Sequence, residues 1–224
     1  MNLRLRDLLA DSCLAALSDA TADPPLLALA AFAERADATG RADGLTEGQA
    51  HILASTDCFE TTSTAVRLVP DLVRDLPAFR ERARRLVEAV AESRARCGSV
   101  EACVSWSLCA ASALFDAGLF FEVHELLEGW WRGAAEDLKT FLQGLIQVAV
   151  GLHHQANGNV RGALSLLAEG NEKLRRFRPA AHGVELEDFC TAVERIEQRL
   201  RAAPGAAIEI PRLVARQSPS SRMR

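Results

Sequence analysis

Along this chain apolar residues return at three- and four-residue intervals far more often than at every second position, the pattern of amphipathic helices. The amino-terminal MNLRLRDLLADSCLAAL mixes Arg4, Arg6, Asp7 and Asp11 into its leucines and reads as such a helix. Further start signals follow: Asp23 before Pro24 and Pro25, the capping box T-E-G-Q from Thr46 to Gln49, and Pro77 opening the charged run PAFRERARRLVEAVAESRAR. No alternating stretch argues convincingly for a strand. The pattern breaks at Cys97-Gly98-Ser99, where Gly98 suits a helix end and Ser99 the next N-cap. The boundary is placed there, between an N-terminal helical region (1–98) and a second region (99–203), with a tail from 204 to 224.

The second region holds all three tryptophans, Trp106, Trp130 and Trp131, and reads as helices at about 100–116, 119–132, 135–156, 159–177 and 184–201. Short Gly and Asn punctuation between them makes neighbours antiparallel. The expected fold class is all-α: a helical bundle or stacked antiparallel helical hairpins, with an additional N-terminal helical region. After Pro204, GAAIEIPRL can only be extended or irregular, because Pro211 lacks an N–H and restricts the residue before it. The basic end VARQSPSSRMR is read as a frayed tail in preference to an anion-binding arm of Arg212, Arg216, Arg222 and Arg224.

Composition narrows the function classes. At 224 residues and 49% hydrophobic the chain can build a sizeable core, and a net charge of -4 gives no basic field for nucleic acid. The run from Thr140 to Val160 has no acid or strong base, but Gln143, Gln147, His153, His154 and Asn157 make it too polar for a membrane span of about 20 residues. A soluble chain without membrane association is expected. Six cysteines lack C-x-x-C spacing, and six-residue steps from Cys97 to Cys103 to Cys109 do not return to one helix face. Reduced thiols in a cytoplasmic protein are the expectation.

Chemistry concentrates in FFEVHELLEGWW, Phe120 to Trp131. On a helical wheel Leu119, Val123, Leu126, Leu127 and Trp130 gather on one side, with His124, Glu125, Glu128 and Arg132 on the other. Glu128 and Arg132 are i,i+4 neighbours that can simply pair on a wet face. In the next helix, FLQGLIQVAVGLHH, the polar side chains Gln143, Gln147 and His154 share one stripe of an otherwise apolar surface. Buried amides and imidazoles need partners, and His124, Glu125 and Glu128 are the natural ones. Two facing polar stripes would make a pocket for a small molecule. Its chemistry is open between metal ligation, acid/base work by a Glu–His pair, and a purely structural network. H-E-L-L-E lacks the second histidine of the zinc motif H-E-x-x-H, so the donors admit a divalent metal without demanding one. Gly144, Gly151 and Gly158 recur every seven residues, serving either close intrachain packing or a homo-oligomer contact through the Gly144/Gly151 face. N-G-N at Asn157–Asn159 ends one helix and caps the next, and Arg161 in that next first turn is a candidate to steer an anion. His51 and His182 have no matching carboxylate cluster, and there is neither a Gly-rich phosphate loop nor a nucleophile elbow.

Three ordered blocks, LFDAGLFFEVHELLEGWWR (Leu114–Arg132), FLQGLIQVAVGLHH (Phe141–His154) and GNVRGALSLL (Gly158–Leu167), resemble the family known as domain of unknown function 309. The likeness extends over about residues 101–203 and implies an all-α fold, but no reaction. It maps signature positions onto Phe120, Glu122, His124, Glu125, Glu128, Trp131, Gln143, Gly144, Gln147, His154, Gly158, Asn159 and Arg161. The chain departs from that pattern at Asp116, where an asparagine is usual, and in lacking tyrosine. The candidate site is then His124, Glu128 and His154 in acid/base or ligand roles, with Glu125, Trp131, Gln143, Gln147 and Arg161 as ligand contacts. The alternative is a non-catalytic helical interaction module with a structural polar network.

Overall fold

The computed structural model describes residues 1–19, 21–62 and 65–215. Arg216, Arg222 and Arg224 of the expected basic tail lie outside them. The chain divides into two compact units, Met1–Ala91 and Glu92–Arg224, and the division falls inside one long helix.

In the first unit, α1 (Leu3–Ser18) is capped by Asn2, whose side chain accepts from the Arg4 N–H, and α2 (Pro24–Arg35) begins on its two prolines. Then come β1 (Arg41–Asp43), α3 (Glu47–Ala54), β2 (Phe59–Thr61), β3 (Ala65–Leu68), a 3₁₀ segment (Pro70–Asp75) and α4 (Leu76–Cys97). The Thr46–Gln49 capping box is present in full at the start of α3. The strands form a small antiparallel sheet in the order β1-β3-β2, with Ala42 opposite Val66 and Phe59 opposite Leu68. The expectation of no strands needs this addition, and its reason is length. Three- and four-residue strands repeat the in-out alternation at most twice, too little to stand out from helical spacing. Phe32, Phe59 and Phe79 meet edge to face beneath them, with centroids 4.8 to 6.4 Å apart. Arg80 donates to the carbonyls of Ala33 and Ala36 at 2.7 and 2.6 Å, satisfying orphan acceptors at the end of α2.

The second unit is a helical bundle with one small sheet. It comprises α5 (Val104–Asp116), α6 (Phe120–Trp131), α7 (Glu136–Ala156), α8 (Val160–Arg175), the hairpin β4 (Ala180–Ala181) and β5 (Val184–Glu185), α9 (Glu187–Ala202), and β6 (Val214–Ala215). The fold is all-α with minor sheets, and these five helices lie close to the expected spans. The first starts late: Cys103, not Ser99, is its N-cap, and residues 98–102 are non-helical. Gly98 ends α4 at φ +69°. Gly158 turns at φ +78°, and the Asn159 side chain accepts from the Gly162 N–H to cap α8.

The tightest pairing is α7 against α8. A Cβ on Gly144 would lie 2.8 Å from the Leu174 side chain, and one on Gly151 2.9 Å from Leu167. A Cβ on Gly170 would meet backbone, Gly144 O at 2.8 Å and Val148 N at 2.9 Å. The Gly144/Gly151 face is thus filled by the chain's own α8 and is not open to a second copy; Gly158 serves the turn instead.

Cysteine chemistry also departs from expectation, because Cys97 and Cys109 form a disulfide across 12 residues. Cys97 closes α4 and Cys109 lies on α5, so the angular spacing of a single helix does not apply to them and their faces can meet. Cys13, Cys58, Cys103 and Cys190 lie outside any disulfide, and burial pushes the Cys58 and Cys190 thiols up to about 11. No helix among the described residues is long and apolar enough to cross a membrane.

Two predictions follow from this packing. Gly170→Ala should lower stability by about 1–3 kcal/mol through overpacking. Gly129→Ala, at an exposed α6 position with nothing within 4 Å, should raise it by about 0.5–1 kcal/mol; urea unfolding that ranks the two the other way refutes the packing argument. For the cysteines, protein purified without reductant should have a mass two hydrogens below the fully reduced chain. The Cys97→Ala/Cys109→Ala double variant should lose about 2–4 kcal/mol. A fully reduced mass would rule the bond out.

Candidate functional site

α6 owes its placement to an apolar face. Phe120, Val123 and Leu127 are buried, and the Trp130 indole N–H donates to the Ser107 hydroxyl of α5 at 2.9 Å. Glu122 is also fully buried, in the first turn, where the helix dipole favours an anion. With that side fixed, positions 124, 125 and 128 project from the remaining surface, half-buried and within one turn of each other.

The three converge. His124 Nδ1 lies 3.2 Å from a Glu125 carboxylate oxygen, and its Nε2 lies 3.4 Å from one of Glu128. One donor atom from each residue falls within 4.8 Å of the other two. The second Glu128 oxygen forms an ion pair with the exposed Arg132 guanidinium at 3.1 Å. A neutral imidazole offers one N–H and one lone pair, so it can donate to one carboxylate while turning its lone pair toward the other. A proton or a metal ion at that nitrogen removes the conflict.

The α7 stripe does not complete this cluster. Gln147 donates from Nε2 to Glu169 of α8 at 3.0 Å, and Ser165 donates to the other Glu169 oxygen at 3.0 Å. Gln147 Oε1 is buried without a hydrogen-bond partner. The His154 Nδ1 sits 3.1 Å from the Asn159 side-chain nitrogen, tying it to the cap of α8. His153 pairs with Asn157 at 3.2 Å. The link from α6 toward α7 is instead aromatic: Phe121 lies between His124 and His153, with ring centroids 6.2 and 6.0 Å away. Phe121 and Glu169 are therefore the residues that reasoning from polar spacing overlooks. Only the i,i+4 pair Ser165 and Glu169 on α8 signals the change in advance.

The other candidates are dispersed. Gln143 is half-buried and makes no hydrogen bond among the described residues, and Arg161 is exposed and unpaired there. The Lys139 ammonium lies 5.0 Å above the Trp131 ring, while the Trp131 indole N–H is buried without a partner.

Residues 108–166 match the family model described as domain of unknown function (DUF309). The Uncharacterized protein YpuF of Bacillus subtilis (strain 168) is 34% identical over 85 residues, which cover 35% of this chain and 49% of that protein. The match thus spans about half the length of that relative. The region matched by the family runs from within α5 to the first turns of α8 and contains every candidate residue named above from His124 to Arg161. Over residues 108–166, the chain is similar to the family described as domain of unknown function 309.

Proposed function

We propose that the second unit is a small-ligand binding domain whose polar centre is a divalent-cation site made by His124, Glu125 and Glu128. The observation that carries this reading is the convergence of one imidazole nitrogen and two carboxylate oxygens within 4.8 Å. One ion takes a single ring nitrogen of His124, so the donor set that counts is that nitrogen with one oxygen from each glutamate, all within 4.8 Å of one another. A nitrogen with two carboxylate oxygens suits zinc, manganese or iron better than copper(I) or a cluster, which favour thiolate. Three protein donors leave coordination positions free for water or a small molecule, the arrangement used when a metal takes part in acid/base chemistry. The half-burial of the three side chains leaves such positions accessible. Gln147 and His154 are engaged on the α8 side and are not needed as ligands.

The Glu128–Arg132 contact favours a second reading, an ion-paired helix face in a non-catalytic interaction module. The two readings differ in solution. Calorimetric titration of tag-free protein with Zn²⁺ and with Mn²⁺ should show one site. His124→Ala and Glu128→Gln should each weaken it at least about tenfold, since even residues that only support ligands cost 10- to 100-fold. Arg132→Ala, which removes a competing cation, should leave binding intact or tighter. Absence of metal binding, with Glu128→Gln costing only a few tenths of a kcal/mol of stability, would leave the ion-paired surface as the better account.

A further inference from the structure

A concave site lies away from α6 and owes nothing to that reading. A half-open cavity of about 670 Å³ runs between α9 and the extended segment that follows it. Its helical wall is the stripe Asp188, Ala192, Arg195 and Arg199, at i, i+4, i+7 and i+11, with Ile196 beside it. The opposite wall is Ile208 to Arg212. That segment is extended because Pro211 forbids a helix there, and it is held by β6, which pairs with β5. Ile196 and Pro211 are buried, whereas Ile210 keeps 41% of its surface exposed.

The charges set this groove apart from an ordinary helix face. Elsewhere on α9 the acids are engaged: Glu197 with Arg201 at 3.2 Å, and Glu194 with Arg175 of α8 at 3.6 Å. The guanidiniums of Arg195, Arg199 and Arg212 have no ion pair or hydrogen bond among the described residues, although Asp188 and Glu209 line the same cavity. Arg195 and Arg199 are like charges at i,i+4, which repel unless an anion lies between them. Asp188, at the N-terminal end of α9, is about 10 Å along the axis from Arg195 at 1.5 Å per residue. The groove therefore has two guanidiniums one turn apart on its helical wall, Glu209 as the acid of the facing segment, Arg212 toward the Asp188 end where β6 returns to β5, and an apolar floor of Ala192, Ile196, Ile208, Ile210 and Pro211. Its volume is in the range of small-molecule sites, about 300–1,000 Å³.

We infer that this groove binds an amphiphilic organic anion, an acyl-type carboxylate whose head group is taken by Arg195 and Arg199 and whose chain lies on the isoleucines. Guanidinium recognises carboxylate through paired N–H donors, and burying an apolar chain adds about 0.8 kcal/mol per methylene. Decanoate is the probe, with decanol as the uncharged match and inorganic phosphate as the anion without a chain, all titrated calorimetrically in EDTA so that the α6 site plays no part. Decanoate should bind at one site, at least tenfold tighter than either decanol or phosphate. Arg195→Ala/Arg199→Ala should weaken it at least tenfold, and Ile210→Asp should weaken it as well. Arg67→Ala, an exposed change in the first unit, should leave binding unaltered. Both arginines are exposed helix positions where alanine is well tolerated, and circular dichroism verifies the fold. Equal affinity for decanol or phosphate, decanoate binding that survives the double variant, or no decanoate binding overturns the inference.

Discussion

The second unit depends on one close approach: the backbone of Gly170 on α8 against that of Gly144 and Val148 on α7. Glycines let the two helices come nearer than any side chain would allow, and Leu167 and Leu174 then close over Gly151 and Gly144. Interiors are packed to crystal-like density, so a contact of this kind fixes the rotation of both helices as well as their separation. Everything polar on α7 inherits that rotation. Gln147 is turned to meet Glu169, and His154 lies beside the Asn159 cap, because α8 is where it is.

The helix on the other side of α7 is placed differently. α6 buries Phe120, Val123 and Leu127 and hooks Trp130 onto Ser107 of α5, and its contact toward α7 includes the ring of Phe121. An aromatic residue at that position fills the space that a polar seam would need. His124, Glu125 and Glu128 are left to each other and to Arg132, forming a compact cluster on one helix. The unit thus separates its polar groups into an α7–α8 network and an α6 face.

Much of this was legible in the sequence, for identifiable reasons. Long helices carry many periods of the 3.6-residue pattern, and the capping box at Thr46 and the N-G-N turn at Asn157 are local signals whose meaning does not depend on the fold. The wheel of α6 brought together the three residues that do meet. What spacing could not supply was direction between helices. Gln147 has two neighbours, α6 and α8, and its own sequence is silent on which it turns to; the glycines decide it. The short strands and the Cys97–Cys109 bond were hidden for a related reason, since each joins segments whose pairing only the tertiary structure creates.

The polar cluster on α6 spans a single helical turn, from residue 124 to residue 128. Its geometry is therefore a property of local backbone winding and not of how the helices are assembled. A site drawn from several elements fails when any of them shifts by an ångström; this one survives sliding or breathing of its neighbours for as long as its own turn stays wound. Sequence drift in α7, α8 or α9 that repacks the bundle can leave the arrangement of donors untouched. The histidine and its two glutamates behave in this sense as a self-contained module, portable with the helix that carries them.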